Sequence, residues 1–334
     1  MAGAGLFTAA KPCSGRRADL SSGNIAWPCV DAAIGIGSPA MEPRLRSVPF
    51  LLAQGFFDLA YAEWGPPDGR PVICAHGLTR NGRDFDALAQ TLAGRGRRVV
   101  AVDFPGRGRS DWLPDPSLYA FPVYLGALSA LLARLDADAF DWVGTSMGGI
   151  AGMMLAAQPR SPVARLVVND VGAFIPKAAL ARIAGYVGRT PRFASLDEVE
   201  ADLRAVAAPF GRLTDAQWRH LATHGAVAAE DGWRLHYDPA IAAAFQAAPP
   251  ADVDLWPVWE RIDRPVLLIR GAESDLLLAG TAEEMGRRGK ARLRRVEIAG
   301  CGHAPALMAA DQIAAVADFL SDGASAPGEA LCDL

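Results

Sequence analysis

Trp142-Val143-Gly144-Thr145-Ser146-Met147-Gly148-Gly149 is the stretch on which the reading of this chain turns. An apolar strand beginning at Phe140 runs directly into the pattern G-x-S-x-G, and an Ala- and Met-rich helix follows. The turn this implies is sharp and strained. A side chain at 144 or 148 would collide with the neighbouring strand or helix, which accounts for glycine at both. Ser146 is therefore expected at the carboxyl end of a strand. A serine hydroxyl is not nucleophilic alone, so such a site needs a histidine base and an acid to orient that base.

Both partners are found downstream. After the apolar run Val266 to Ile269 comes Arg270-Gly271-Ala272-Glu273-Ser274-Asp275, and after the run Leu293 to Ile298 comes Ala299-Gly300-Cys301-Gly302-His303-Ala304. The order Ser146, Asp275, His303 places each group just past a strand end, on the edge of a parallel sheet where ligands bind. Asp275 is the expected acid; Glu273 and Asp170, the latter following the run Leu166 to Asn169, compete with it. An oxyanion also has to be held. The N–H of Met147, at a helix start, supplies one donor. The loop after Ala75 supplies the other, with Leu78 as candidate and Thr79 second.

Outward from this stretch, short apolar runs alternate with helical spacing. Val72 to Ala75, Val99 to Val102, Phe140 to Val143, Leu166 to Val168, Val266 to Ile269 and Leu293 to Ile298 read as mostly buried parallel strands. Phe57, Leu59 and Tyr61 alternate with polar or small neighbours ahead of them, a strand pattern that opens the fold. Phe85, Leu88, Ala89 and Leu92, then Leu125, Leu128, Leu132 and Leu135, then Ile313, Val316, Ala317 and Leu320 keep helical spacing. The expected architecture is α/β, a mostly parallel sheet of strands covered by helices on both faces. Residues 174–258 break the rhythm. They show no convincing strand but Ala-rich helical stretches with Tyr186, Phe193, Phe210, Trp218, Trp233, Tyr237, Phe245, Trp256 and, at its edge, Trp259, and read as an inserted helical cap whose aromatics mostly fill its own core. The core is then 46–173 and 259–322, with a loosely ordered Gly/Ala/Ser/Pro-rich extension at 1–45, inside which Met41 is a possible start, and a tail at 323–334.

Composition narrows the class further. The chain has 334 residues, 51% hydrophobic and 21% charged, and a net charge of −4 without long runs of either sign, so the basic footprint of a nucleic-acid binder is missing. Five cysteines, at 13, 29, 74, 301 and 332, form no C-x-x-C pair. That pattern fits a reducing cytoplasm better than a disulfide framework or a zinc ribbon. No apolar run is long enough to span a membrane, and Arg16-Arg17 is not followed by a signal-peptide core. His220 and His224 stand at i, i+4 without the Glu of H-E-x-x-H and read as cap histidines, not as a metalloprotease site. His76 reads as a hydrogen-bonded histidine that shapes the oxyanion loop. Arg80, at the rim of the expected pocket, reads as a loop arginine that could attract a substrate carboxylate. No dinucleotide fingerprint or phosphate loop is present, so no cofactor and no metal is expected.

The landmarks His76-Gly77, Asp103-Phe104-Pro105-Gly106-Arg107-Gly108-Arg109-Ser110, Gly144 to Gly149, Gly271 to Asp275 and Gly302-His303 resemble, in order, those of the α/β-hydrolase superfamily, esterase-like branch. The resemblance covers about residues 50–322. It implies eight strands with a lid after the sixth and cofactor-free acyl-ester or related chemistry on a small-molecule ester. It also implies that Asp103 to Ser110 is a structural turn. Serine at the nucleophile position argues against the dehalogenases and epoxide hydrolases that resemble this scaffold with aspartate there. C–C bond hydrolysis, acyl transfer and slow-turnover ligand reception remain as alternatives, and the oligomeric state is left open.

Overall fold

The computed structural model describes residues 41–246 and 249–321, all within one compact unit, Ala40–Leu334. An eight-stranded sheet runs β1-β2-β4-β3-β5-β6-β11-β12. Its members are β1 (Arg44–Leu52), β2 (Gly55–Trp64), β3 (Pro71–Ala75), β4 (Arg98–Val102), β5 (Phe140–Thr145), β6 (Val163–Asn169), β11 (Pro265–Gly271) and β12 (Arg292–Ile298). The hairpin β1–β2 is antiparallel, β2 pairs antiparallel with β4, and every later pairing is parallel. Strand β1 begins at Arg44, inside the stretch expected as an extension. It escapes a strand reading because it is an edge strand with only Val48 and Phe50 buried and with charges at Arg44 and Arg46. The rest of 1–45, up to residue 40, and residues 322–334 lie outside the described residues.

Period two explains how the central strands serve two cores. Ile73, Val100, Trp142, Leu166 and Leu268 pack into one cluster with α2 (Phe121–Leu135) and α3 (Met147–Ala156). Val72, Val99, Val143, Val167 and Leu267 pack into the other with α1 (Asp86–Gly94) and α10 (Ala310–Ser321). Strands buried on both faces lose the polar alternation of surface strands, which is why they read as continuous apolar runs. The far edge, β12, carries Arg292, Arg294 and Arg295, and charge on an edge discourages pairing with another chain.

Between β6 and β11 the chain leaves the sheet. The excursion opens with β7 (Phe174–Ile175) and closes with β10 (Val253–Asp254), which pair antiparallel at its base. Within it lie α4 (Lys177–Ala184), α5 (Leu196–Val206), α6 (Asp215–Gly225), the hairpin β8 (Ala226–Ala229) and β9 (Gly232–Leu235), and α7 (Ala243–Gln246). Helices α8 (Trp256–Trp259) and α9 (Ala279–Arg287) follow. The hairpin and the β7–β10 pair are strands where none was expected; at two to four residues each they are too short to show a period. The aromatics also differ from expectation. Tyr237 and Trp259 join the main core, and only Phe193 and Trp218 are buried in small clusters of the insertion. Its bulky residues therefore anchor it to the sheet more than they fill it.

Candidate active site

The turn between β5 and α3 has the strain that its sequence implies. Ser146 sits at φ 53°, ψ −116°, a left-handed conformation that costs a non-glycine residue about 1–3 kcal/mol. A Cβ on Gly144 would stand 2.2 Å from the Gly148 carbonyl oxygen, and one on Gly148 would stand 2.0 Å from that of Ala75. Tight packing and a buried lock hold the turn: the Trp142 indole N–H donates to the Gly148 carbonyl at 2.9 Å. Full burial of a side chain as large as Trp142 contributes at least the roughly 1.5–3 kcal/mol typical of a large apolar group, enough to offset the strain.

From the loop after β12, His303 brings Nε2 to 2.9 Å from Ser146 Oγ. Its Nδ1 lies 2.9 Å from Oδ2 of Asp170, the residue that follows β6. Asp170 has no exposed surface. Its Oδ1 accepts from the Gly271 N–H at 2.8 Å and its Oδ2 from the Ser274 hydroxyl at 2.6 Å. A buried carboxylate with three donors is held in one orientation.

Asp275, the expected acid, is elsewhere. It is half-exposed and forms a two-pronged pair with Arg182 of α4, at 2.6 and 2.8 Å. Partial burial acts to raise its pKa, but the Arg182 hydrogen bond and charge outweigh that and leave it below the usual carboxylate range. The loop after β11 thus contributes Gly271 and Ser274 as donors to Asp170, while its own aspartate turns toward the insertion. Glu273 forms no side-chain hydrogen bond or ion pair with His303 among the described residues.

Of the two residues expected to hold an oxyanion, Leu78 lines the pocket beside Ser146 and Met147 follows Ser146 directly in the chain. Because a trans peptide points its C=O and N–H in opposite directions, fixing the Gly77 oxygen fixes the Leu78 N–H. His76 Nδ1 donates to that oxygen at 2.6 Å and the Arg80 N–H at 3.2 Å. Met147 opens α3, so its N–H has no partner within the helix. Behind both lies Arg107, which the sequence did not single out. It is completely buried. Its Nε donates to the Leu78 carbonyl at 2.9 Å, and its Nη1 to the Pro105 carbonyl and the Tyr124 hydroxyl, both at 2.7 Å. Its Nη2 lies 3.9 Å from the Met147 sulfur. No carboxylate of the described residues is within ion-pair distance of it.

Over Ser146 and His303 opens a pocket enclosing about 1280 Å³ of free space, part of it continuous with solvent. Leu78 and Ala306 line it from the core, and Ile183, Tyr186, Leu203 and Leu221 from the insertion. Arg80, Arg182 and Arg189 stand among these apolar walls. Residues 70–309 match the family described as alpha/beta hydrolase fold. The chain belongs to that family. This α/β hydrolase is 45% identical over 290 residues to a protein named 3-hydroxybutyrate-oligomer hydrolase from Cupriavidus necator, an alignment covering 84% of this chain and 98% of the relative. Among solved structures it is similar to a putative hydrolase from Rickettsia typhi (31% identity, TM-score 0.78, 85% of this chain and 100% of the other). It is also similar to an α/β hydrolase from Novosphingobium aromaticivorans (36% identity, TM-score 0.74, 84% and 99%). No helix of the described residues is long and apolar enough to cross a membrane.

His76 of this hydrolase is a neutral imidazole with both nitrogens engaged, since its Nε2 accepts from the Phe104 N–H at 2.9 Å while Nδ1 donates to Gly77. Burial pushes its pKa down to about 3, opposed by the Gly77 hydrogen bond and reinforced by the charges of Arg107 and Arg80. A folded-state pKa below the unfolded value of about 6.5 means that the unfolded chain binds the extra proton, so stability is full above that pH and is lost as pH falls toward 3. Between pH 7 and pH 4 this one group is expected to remove about 3 kcal/mol. Urea unfolding of the wild type and of His76→Gln over that range tests it. The variant should be less stable at pH 7 but show a shallower loss on acidification, and parallel profiles would refute the assignment.

Proposed function

We propose that this protein is a serine hydrolase of carboxylic esters that acts through Ser146, His303 and Asp170, with short 3-hydroxybutyrate oligomers as its substrate class. The hydrogen-bonded chain from Ser146 Oγ through His303 to Asp170 carries the reading. In this mechanism His303 Nε2 takes the proton of Ser146 as its oxygen attacks the ester carbonyl. Asp170 holds the Nδ1 proton, fixing the tautomer and stabilising the imidazolium. The Leu78 and Met147 amides receive the oxyanion. His303 then protonates the leaving alcohol. Water, deprotonated by the same imidazole, attacks the acyl-serine and frees Ser146.

The substrate class rests on the relative from Cupriavidus necator and on pocket chemistry. A 3-hydroxybutyrate oligomer carries one methyl branch per ester, matching the apolar walls, and its single terminal carboxylate competes with Asp84, Asp275 and Asp202 for Arg80, Arg182 and Arg189. The insertion, 174–258, acts as the lid that sizes this pocket. The test is steady-state hydrolysis of the 3-hydroxybutyrate dimer and trimer beside p-nitrophenyl esters of two to twelve acyl carbons. Turnover of the oligomers with higher kcat/KM than simple esters is expected. Labelling of Ser146 by a phosphonate without turnover of any ester would set the ester reading aside in favour of C–C bond cleavage or ligand reception.

Arg107 acts in this scheme as a positioning residue. It donates to the Leu78 carbonyl and reaches the Met147 side chain, and so places a fixed positive charge beside the two residues assigned to the oxyanion. Arg107→Met leaves the Leu78 and Pro105 carbonyls unpaired, each costing about 1–3 kcal/mol of stability. Loss of oxyanion support is worth about 10²-fold in kcat. The expected result is a kcat lowered by about 10²-fold with KM nearly unchanged, and weaker inhibition by a trifluoromethyl ketone in the same proportion. A merely structural role would lower the melting temperature without separating kcat from KM.

A further inference from the structure

Where the insertion meets the start of α1, three side chains that take no part at Ser146 come together. His220 and His224 lie one turn apart on α6, their rings edge to face with centroids 4.6 Å apart. Across the seam stands Asp86, the first residue of α1 and 5% exposed. His220 Nε2 is 3.6 Å from Asp86 Oδ2, and one ligating atom from each of the three residues falls within 4.8 Å of the others. Among the described residues, the His224 imidazole has no hydrogen-bond partner, and its ring packs edge to face with that of His220.

We infer that Asp86, His220 and His224 form a binding site for a divalent transition ion of the Zn²⁺, Ni²⁺ or Co²⁺ class, and that the ion ties the insertion to the core. Two imidazoles and one carboxylate are the donor set of such borderline ions, whereas Ca²⁺ and Mg²⁺ need more oxygen ligands. The i, i+4 spacing puts both rings on one helical face. A tetrahedral ion with bonds of about 2.0–2.2 Å requires donors roughly 3.3 Å apart, so the cluster closes by about one bond length. His220 Nε2 donates to the Arg83 carbonyl at 2.9 Å, and an ion bound through that nitrogen takes the place of this proton and its hydrogen bond.

Local charge is compatible with a cation. Arg83 forks onto Asp86, with Nε 2.9 and 3.0 Å and Nη2 2.6 Å from its oxygens, and Arg80 pairs with Asp84 at 2.6 Å. Each arginine therefore has its own carboxylate. An ion displaces Arg83 Nη2 from one oxygen of Asp86, and the partly exposed Arg83 side chain turns outward. The consequence reaches the pocket, because Leu221 and Gly225 of the same helix line it and Asn81, beside the oxyanion loop, donates to the His224 carbonyl at 2.7 Å. Tying α6 to α1 fixes that wall. None of this depends on ester chemistry.

The experiment is calorimetric titration of the chelator-treated full chain with Zn²⁺ and Ni²⁺, beside His220→Gln, His224→Gln and Asp86→Asn. One saturable equivalent is expected in the wild type, weakened by at least about tenfold in each variant, with a Zn²⁺-dependent rise in melting temperature that the variants lose. Co²⁺ should give visible d–d bands without a thiolate charge-transfer band, which separates this site from the cysteines. Because Asp86 also holds Arg83, His224→Gln decides alone if Asp86→Asn fails to fold. Absence of a saturable equivalent, undiminished binding by His224→Gln, or a thiolate band would overturn the inference.

Discussion

Ser146→Ala is expected to lower kcat by roughly 10⁶-fold on any ester the wild type turns over, because the nucleophile, base and acid act as a unit. What survives should be the small acceleration that the Leu78 and Met147 amides and the pocket supply without covalent chemistry. The substitution removes one oxygen from a turn already held by Gly144, Gly148 and the Trp142–Gly148 hydrogen bond, so the melting temperature should barely move. The measurement is initial-rate hydrolysis by both proteins, with active-site titration by a phosphonate to exclude wild-type carry-over. A variant within tenfold of the wild type would mean that attack does not start from this serine.

The second large effect separates two aspartates. Asp170→Asn is expected to lower kcat by about 10⁴-fold, the loss that follows when the group facing Nδ1 no longer selects the productive tautomer. Asp275→Asn should stay within about fivefold, since a half-exposed pair with Arg182 is worth at most about 1 kcal/mol. Both rates are compared at a pH above the histidine range, with circular dichroism to show that each variant is folded. A larger loss in Asp275→Asn than in Asp170→Asn would return the acid to the position after β11.

The contrast marks where local reading ends. The turn at Ser146 is legible because its determinants are within a few residues: an apolar strand, glycines where a Cβ would strike backbone 2.0 to 2.2 Å away, and a helix that begins at once. His303 is legible because it follows the last strand of the sheet. The buried runs of β3 to β6 and β11 could be read for the same local reason, while β1, half-exposed at an edge, could not.

Which carboxylate faces His303 was beyond local reading because Asp170, Glu273 and Asp275 all follow strand ends, and position along the chain does not rank them. Parallel pairing of β6 with β11 sets Asp170 against the Gly271 N–H and the Ser274 hydroxyl, about a hundred residues on, and those donors hold it toward His303. Arg182, arriving from the insertion, draws Asp275 away. Arg107 acquires its place in the same manner, as a polar residue in a turn until folding closes Leu78, Tyr124 and Met147 around it. The periodicity of α6 puts His220 and His224 on one face, but only the docking of the insertion brings Asp86 to them. The sheet, the strained turn at Ser146 and the place of His303 after the last strand could be read from the chain alone, because they depend on sterics and patterning between near neighbours. Which carboxylate meets His303 and what surrounds each buried charge follow from the folded arrangement, because those depend on contacts between residues far apart in the chain.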